Sequence, residues 1–458
     1  MDDLEGELRR GRDLRQAGRL PEALAVFDAL LARAPRAAAP RALRGLTLCN
    51  LDRFEEGIAE LREAIALEPR NPAYHCDLGL VLFALDEVRE SESELRHALM
   101  LAPGDPDSLT NLALVLRARG DFAGAESAAR QALARRPELY AARINLGYAL
   151  LAQGRFAEAW PHHDYRPESR MNLRDPHNAG IVPHVDRLPP APSPIVLHGE
   201  QGLGDALFFL RFAPALRSRG HRLAFWGDRR LQPILARTGI FEHFIAPEAA
   251  PAEELAVVWI GDLPGMLGAD DPTAFPPPLP IQGDPARRAA LEDHLGRFGP
   301  PPYVGLTWRA GSERRGRIAL AKALPAERLA SALRGLRATF LSMQRAPVPG
   351  EIVHASRVLG APIHDAASLN ERLEDALAAM EILDEYVAVS NTNVHLRACA
   401  GRGARVLVPW PPEWRWLRDA RHSPWFPAME IYRQSPDGNW DAALQRLSAD
   451  LHVSRRPS

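Results

Sequence analysis

The sequence predicts an α-helical solenoid joined to an α/β region built as two parallel-sheet halves. Three observations carry that expectation. Prolines and small residues recur every 34 positions through the first 160 residues. Residue 194 begins a different texture, with short apolar runs alternating with helical patterns. Glycine-rich or polar turns then follow several of those runs directly, where parallel sheets place their ligands. A chain of 458 residues also exceeds what one hydrophobic core usually serves, so more than one domain is expected.

The helical region justifies itself register by register. Pro35, Pro69, Pro103 and Pro137 fall in phase, as do Gly11, Gly45, Gly79, Ala113 and Gly147, and so do Ala23, Gly57, Ser91, Ala125 and Ala159. The small residues let paired helices approach closely, and each proline ends a second helix because it cannot continue the hydrogen-bond ladder. The stretches GRLPEALAVFDALLARAP and DRFEEGIAELREAIALEP show that second helix clearly. On these registers, residues 4 to about 168 resemble the tetratricopeptide repeat family. The resemblance implies a concave face suited to an extended peptide or a partner protein, with a spacer or dimerisation platform as the plainer reading.

After Ala159 the pattern breaks at WPHHDYRPESRMNLRDPHNAGIVPHVDRLPPAPSP, a stretch that reads as a polar linker over residues 169–193. His162, His163, Asp164, His177 and His184 lie in or beside it without regular metal-ligand spacing. Cys49, Cys76 and Cys399 are scattered without paired spacing and read as packing residues.

From residue 194, PIVLHGEQGLGDALFFLRFAPALRSRG reads as strand, glycine-rich turn and helix. RLAFWG and AVVWIG continue a first half over 194–282, and the proline-rich DDPTAFPPPLPIQGDP separates it from a second over 283–458, with strands at YVGLTW, TFLSMQ, YVAVS and RVLVPW and a closing helix. Similar halves on either side of a break predict two Rossmann-like domains facing across a cleft. In the first, Gly202 and Gly204 bring backbone amides toward a ligand, and Asp205 reads either as a first-turn helix acid or as a general base. In the second, TWRAGSERRGRIALAKALP is a basic loop carrying Arg309, Ser312, Arg314, Arg315, Arg317 and Lys322. Lys322 is the one lysine among 56 basic residues, a compact point charge where every other position uses the flat arginine fork. Gln344 and Arg345 follow the next strand, and Ser390, Asn391, Thr392, Asn393 and His395 gather at a strand-to-helix turn suited to a diphosphate.

Together GEQGLGDALFFLRFAPAL, VGLTWRAG, the loop to KALP, FLSMQR, VAVSNTNVHLRACAG and VLVPWPPEWRWLRDARHSPWFP resemble the glycosyltransferase family that includes the lipopolysaccharide heptosyltransferases. They are most similar to its bacterial branch in which tetratricopeptide repeats precede the transferase domain. The resemblance implies a GT-B fold, a nucleotide-sugar donor held mainly by the C-terminal half, an acceptor approached from the N-terminal half, and inversion at the sugar carbon with no metal or other cofactor. It implies catalytic roles for Asp205, as base, and Lys322, as phosphate contact. Gly204, Arg309, Gln344, Ser390, Asn391, Thr392, Asn393 and His395 are assigned to donor binding, with Glu413 and Trp414 as candidates for ribose hydroxyls and a ring face. Relatives read Ser-x-Asp-Thr at the diphosphate turn, whereas Ser390, Asn391 and Thr392 put an amide in place of the carboxylate. The D-x-D pair a metal-dependent transferase would place beside its donor is found as Asp105 and Asp107, inside a repeat turn.

The expected partners are a nucleotide sugar and a protein or peptide acceptor, with a homo-oligomer open. A net charge of -2 without long runs of one sign argues against nucleic acid. A polar start and the lack of any stretch of ~18 apolar residues make the cytoplasm the expected location. An adaptor that has lost turnover and a sugar-nucleotide epimerase are the alternatives.

Overall fold

A computed structural model describes residues 2–166, 184–199, 202–249, 251–252, 255–310 and 322–453. Ser312, Arg314, Arg315 and Arg317 of the basic loop, His177, and most of the expected linker lie outside the described residues.

Ten helices come first: α1 (Asp2–Gln16), α2 (Leu20–Arg33), α3 (Ala38–Asn50), α4 (Phe54–Leu67), α5 (Pro72–Ala84), α6 (Val88–Leu101), α7 (Pro106–Ala118), α8 (Phe122–Arg135), α9 (Tyr140–Ala152) and α10 (Phe156–His163). α2, α4, α6 and α8 end alike. The C-cap residues Ala34, Glu68, Ala102 and Arg136 donate to Leu30, Ala64, Ala98 and Ala132, and the in-phase proline follows each cap. The small registers are required by contact. A Cβ on Gly57 would sit 2.6 Å from the Gly45 carbonyl and 2.3 Å from Cys49 Sγ, and one on Gly45 would sit 2.7 Å from the Gly57 carbonyl. α3 and α4 therefore touch backbone to backbone. Asp105 caps α7 by accepting from Ser108 N at 2.8 Å, and Asp107 pairs with Arg136 at 3.1 Å, so both acids of the D-x-D serve the helices.

The chain forms two compact units among the described residues, one reaching Ala149 and the other beginning at Leu150, ahead of the expected boundary at 168. The reason is apolar. Trp160 of α10 packs edge-on against Trp414 and Trp425, its indole N–H donates to Ala269 O at 2.8 Å, and the buried Arg166 pairs with Asp262 at 2.5 Å. The stretch from Trp160 through Arg166, expected to close the repeat region, is thus packed into the second unit.

That unit contains β1 (Pro194–His198), α11 (Leu203–Phe209), α12 (Ala213–Ser218), β2 (Arg222–Trp226), α13 (Gln232–Ala236), β3 (Phe241–Ile245), β4 (Ala256–Trp259) and α14 (Leu263–Met266). These build a four-stranded parallel sheet of order β3-β2-β1-β4. After α15 (Pro285–Gly296) come β5 (Tyr303–Thr307), the two-residue strands β6 (Arg309–Ala310) and β7 (Lys322–Ala323), α16 (Ala326–Ala332), β8 (Thr339–Ser342), α17 (Glu351–Leu359), β9 (Ile363–Asp365), α18 (Leu373–Ile382), β10 (Glu385–Val389), α19 (Thr392–Cys399), β11 (Ala404–Val408), β12 (Met429–Arg433) and α20 (Asp441–Val453). The second sheet is parallel throughout, in the order β12-β11-β10-β5-β8-β9. Counted from β5, that is the 3-2-1-4-5-6 arrangement of doubly wound nucleotide-binding sheets, read from its far edge. The proline-rich connector between the sheets is anchored: Leu279 and Ile281 are buried, and Glu381 accepts from Gly283 N at 2.6 Å.

Candidate functional site

Strand order reverses at β1 in the first sheet and between β5 and β10 in the second, and it is at the carboxyl ends of strands at such reversals that parallel sheets place a ligand crevice. The turns that follow β1 and β10 meet. A Cβ on Gly204 would lie 3.1 Å from His395 Cδ2 and 3.8 Å from Thr392 Cα, so glycine at 204 lets the two turns touch. The close approach to α19 is by itself a reason for glycine at 204.

Asp205 lies in the first turn of α11, but its carboxylate does not cap the helix; the side chain is half exposed and forms an ion pair with Arg415. Arg415 is itself nearly buried, with its guanidinium 4.6 Å from the Phe208 ring centroid and 4.7 Å from that of Trp414. Its Nε is buried and has no hydrogen-bond partner among the described residues.

Lys322 forms an ion pair with Glu413, and Glu413 also accepts from Ser390 Oγ at 2.8 Å and from Trp416 Nε1 at 3.3 Å. The carboxylate thus joins the β6–β7 hairpin to the turn after β10. Burial works to raise the Glu413 carboxyl, but Lys322, Arg415 and the Ser390 hydroxyl outweigh it and hold the group at about 2, ionised at any ordinary pH. His395 moves the other way. Burial, reinforced by Arg415, Arg211 and Lys322 against the opposing Glu413, lowers it to about 3, leaving a neutral imidazole whose Nδ1 has no hydrogen-bond partner among the described residues.

The remaining predicted residues divide by what their side chains already hold. Asn391 caps α19: its Oδ1 accepts from Val394 N at 3.1 Å and its Nδ2 donates to Tyr386 OH at 3.1 Å. The amide thus both accepts as the helix cap and donates to the tyrosine. Asn393 is buried and donates to Asn370 Oδ1 at 2.8 Å. Gln344 is buried too; its Oε1 accepts from Arg309 N at 2.9 Å and Trp308 N at 3.2 Å, and its Nε2 donates to Arg345 O. Arg309 pairs with Glu351 at 2.9 Å. These four pin the crevice walls, whereas Thr392, partly exposed at the start of α19, stands at the meeting of the turns. Trp414 is a core residue, edge-on to Phe208 at 5.4 Å and to Trp160, His163 and Trp425, so its ring faces serve packing and Arg415. Glu413, proposed for ribose hydroxyls, instead binds Lys322 and Ser390.

Sequence reasoning missed Arg415 and Arg211. Arg211 is fully buried, donates to Phe208 O and Trp425 O at 2.9 and 2.7 Å, and is lowered to about 9 by burial, with Cys399 opposing and Arg415 adding to the shift. In the first sheet, His198, Trp226 and Trp259 end three adjacent strands in register, and their rings stack at 3.9 and 4.0 Å on either side of the imidazole. His184 adds a fourth ring on Trp259 and lies 3.0 Å from His198, nitrogen to nitrogen. Burial holds His198 at about 3 and His184 at about 4. Among the described residues no three potential ligands gather around a common point as a metal site requires.

The fold and these sites define the class: an N-terminal array of tetratricopeptide repeats followed by a parallel-sheet α/β region. Tetratricopeptide repeat models match residues 8–51 and 110–160, and a further TPR repeat model matches residues 45–86. Among curated proteins, protein FlbA of Caulobacter vibrioides is 28% identical over 283 residues, covering 56% of this chain and 46% of FlbA; the chain thus spans about half the length of that relative. Among solved structures, MamA matches 38% of this chain and 94% of its own at 20% identity and a TM-score of 0.31. PilF of Pseudomonas aeruginosa matches 48% and 87% at 16% identity and a TM-score of 0.37. No described helix is long and apolar enough to cross a membrane.

Proposed function

We propose that the chain is an inverting glycosyltransferase that moves a sugar from a nucleotide donor to a protein or peptide acceptor recognised by the repeats. The observation that carries the reading is the meeting, where both parallel sheets reverse order, of a carboxylate from the first half (Asp205) with cations and polar turn residues of the second (Lys322, Arg415, Ser390, Thr392). In this reading Asp205 removes the proton from the acceptor nucleophile as it attacks the anomeric carbon from the face opposite the nucleotide. The bond from that carbon to the diphosphate oxygen breaks, and Lys322 and Arg415 stabilise the charge that accumulates on the departing diphosphate. A lysine at 322 suits this role because an ammonium on a flexible stem follows a charge as it moves.

The test is a thermal-shift panel of nucleotide sugars, followed by mass spectrometry of proteins from cells with and without the intact chain. The expected result is a saturable shift with one donor and a sugar mass lost from one or more proteins when the chain is absent. No shift with any donor sinks the reading. It would leave an adaptor of the same fold, which the ion pairing of both Asp205 and Lys322 within the chain independently favours. Lys322→Ala should weaken donor binding and turnover together; unchanged values would remove Lys322 from the mechanism.

A further inference from the structure

The two residues assigned to catalysis are held by the same short turn. Glu413, which pairs with Lys322, and Arg415, which pairs with Asp205, stand two positions apart on either side of Trp414. Trp414 is buried among Phe208, Trp160 and Trp425, so the turn is anchored at its centre while its two charged side chains point to opposite tasks. We infer that this turn is a counter-ion clamp: a nucleoside diphosphate takes Arg415 and Lys322 from their carboxylates, and the transfer of Arg415 uncovers Asp205 as the base. The inference rests on the glycosyltransferase reading and gives it an order, with donor first and proton removal second.

The geometry supports an exchange rather than a permanent salt bridge. Arg415 binds Asp205 through one terminal nitrogen, while its Nε has no hydrogen-bond partner among the described residues. A guanidinium offers five donors in a flat fork, and a diphosphate accepts two of them side by side where Asp205 accepts one. The guanidinium carbon lies 4.6 Å from the Phe208 centroid and 4.7 Å from that of Trp414, two rings set edge-on, so a swing of the fork away from Asp205 keeps it against an aromatic ring. Asp205 is the more exposed partner, its side chain 45% accessible against 11% for Arg415, so the carboxylate is rehydrated easily when the arginine turns away. His395, buried beside these charges, turns its Cδ2–Nε2 edge toward the same junction at Gly204.

The experiment is calorimetric titration of the full chain with inorganic pyrophosphate and with ADP, GDP, UDP and CDP, using wild type, Asp205→Asn, Arg415→Gln and the double variant. If Arg415 must leave Asp205 to reach the diphosphate, Asp205→Asn binds the preferred diphosphate about tenfold more tightly, on the scale of one partly buried charge pair. Arg415→Gln binds it at least tenfold more weakly, and Arg415→Lys recovers part of the loss. In the double variant the gain from Asp205→Asn disappears. A gain that persists without Arg415 is bulk repulsion relieved and overturns the clamp, as does an Asp205→Asn variant that binds no better than wild type. Wild type that binds none of the diphosphates sinks the transferase reading itself, a result separate from either. Circular dichroism melts of each variant confirm that a loss of binding is not a loss of fold.

Discussion

The repeats and the α/β region use the same residue types to make ion pairs, yet the pairs differ in kind. In the repeats, many partners come from one turn away or from a neighbouring helix and lie open, although Arg41–Glu60 is only about a fifth accessible. Arg19–Glu22 and Arg53–Glu56 are i,i+3 pairs, Arg62 reaches Glu90, and the side chains of Arg19 and Glu22 remain 58% and 55% accessible. In the α/β region the pairs join segments remote in sequence: Asp205 with Arg415, Lys322 with Glu413, Arg309 with Glu351. Lys322 and Glu413 are only 21% and 19% accessible. Charge held away from water interacts strongly with neighbouring charge and shifts its protonation, whereas exposed pairs are screened and contribute little. The difference teaches where chemistry can be done. A charge in the repeats keeps the array soluble and registers one hairpin on the next, while a charge at the sheet ends is placed to respond to another charge.

The sharpest way to break that contrast is through turnover. Asp205→Ala should lower turnover by about 10²–10⁴-fold, the range for removing a general base, without loss of diphosphate affinity. Steady-state rates with the donor found by the thermal-shift panel check this. An unaltered rate would make the Asp205–Arg415 pair a structural tie between the two halves and erase its distinction from the pairs in the repeats.

A second effect is smaller and is read from stability. His395 and His198 are lowered to about 3 and His184 to about 4 by burial, and all three lie in the α/β unit. A histidine whose folded value is depressed stays neutral in the native state and takes up a proton on unfolding. Its contribution is therefore complete above the unfolded value near 6.5 and is lost as pH falls from there toward 3 or 4. Each such group removes up to about 1.4 kcal/mol per pH unit over that window. Hydrogen exchange at pH 7 and pH 5 should show the α/β unit losing protection in acid before the repeats do. His395→Gln should flatten part of the slope. Equal losses in both units would mean that these imidazoles are not held neutral by burial.

How much was legible follows from the same contrast. The repeats were readable because their contacts are local and periodic: a proline beyond each second helix and a small residue wherever two helices touch, as at Gly45 and Gly57. The motifs after β1, β5, β8 and β10 were readable because a parallel sheet gathers its ligands at strand ends, so position in the pattern announces position in the crevice. Besides the two-residue β6 and β7, three strands of the parallel sheets escaped. β3 reads FEHFI, with Glu242 and His243 exposed in the middle of an edge strand, so no apolar run marks it; β9 is three residues long, and β12 mixes Glu430 and Arg433 with its apolar positions. Arg415 escaped because its meaning lies in a partner 210 residues away, and an arginine beside two tryptophans reads equally well as solvated charge. The polar residues of the 390s turn were correctly located, but their division of labour needed coordinates. Asn391 and Asn393 are spent on a helix cap and on Asn370, and a pattern of polar letters does not say which of them have amide bonds to make.

The smallest effect tests the other side of the comparison. Arg53→Ala removes both hydrogen bonds to Glu56, each 2.7 Å long, from the surface of α4. Water replaces them at once, because both side chains are about half accessible and freed rotamer entropy offsets the lost attraction. The melting temperature should stay within measurement error at physiological salt, and it should do so whether or not a diphosphate is present. Lys322→Ala should behave oppositely on both counts, since it takes from the buried Glu413 carboxylate its paired cation and leaves the Ser390 and Trp416 hydrogen bonds and the field of Arg415. If the two substitutions shift the melt equally, burial does not separate the two kinds of pair, and the sheet-end charges have no claim to a special role.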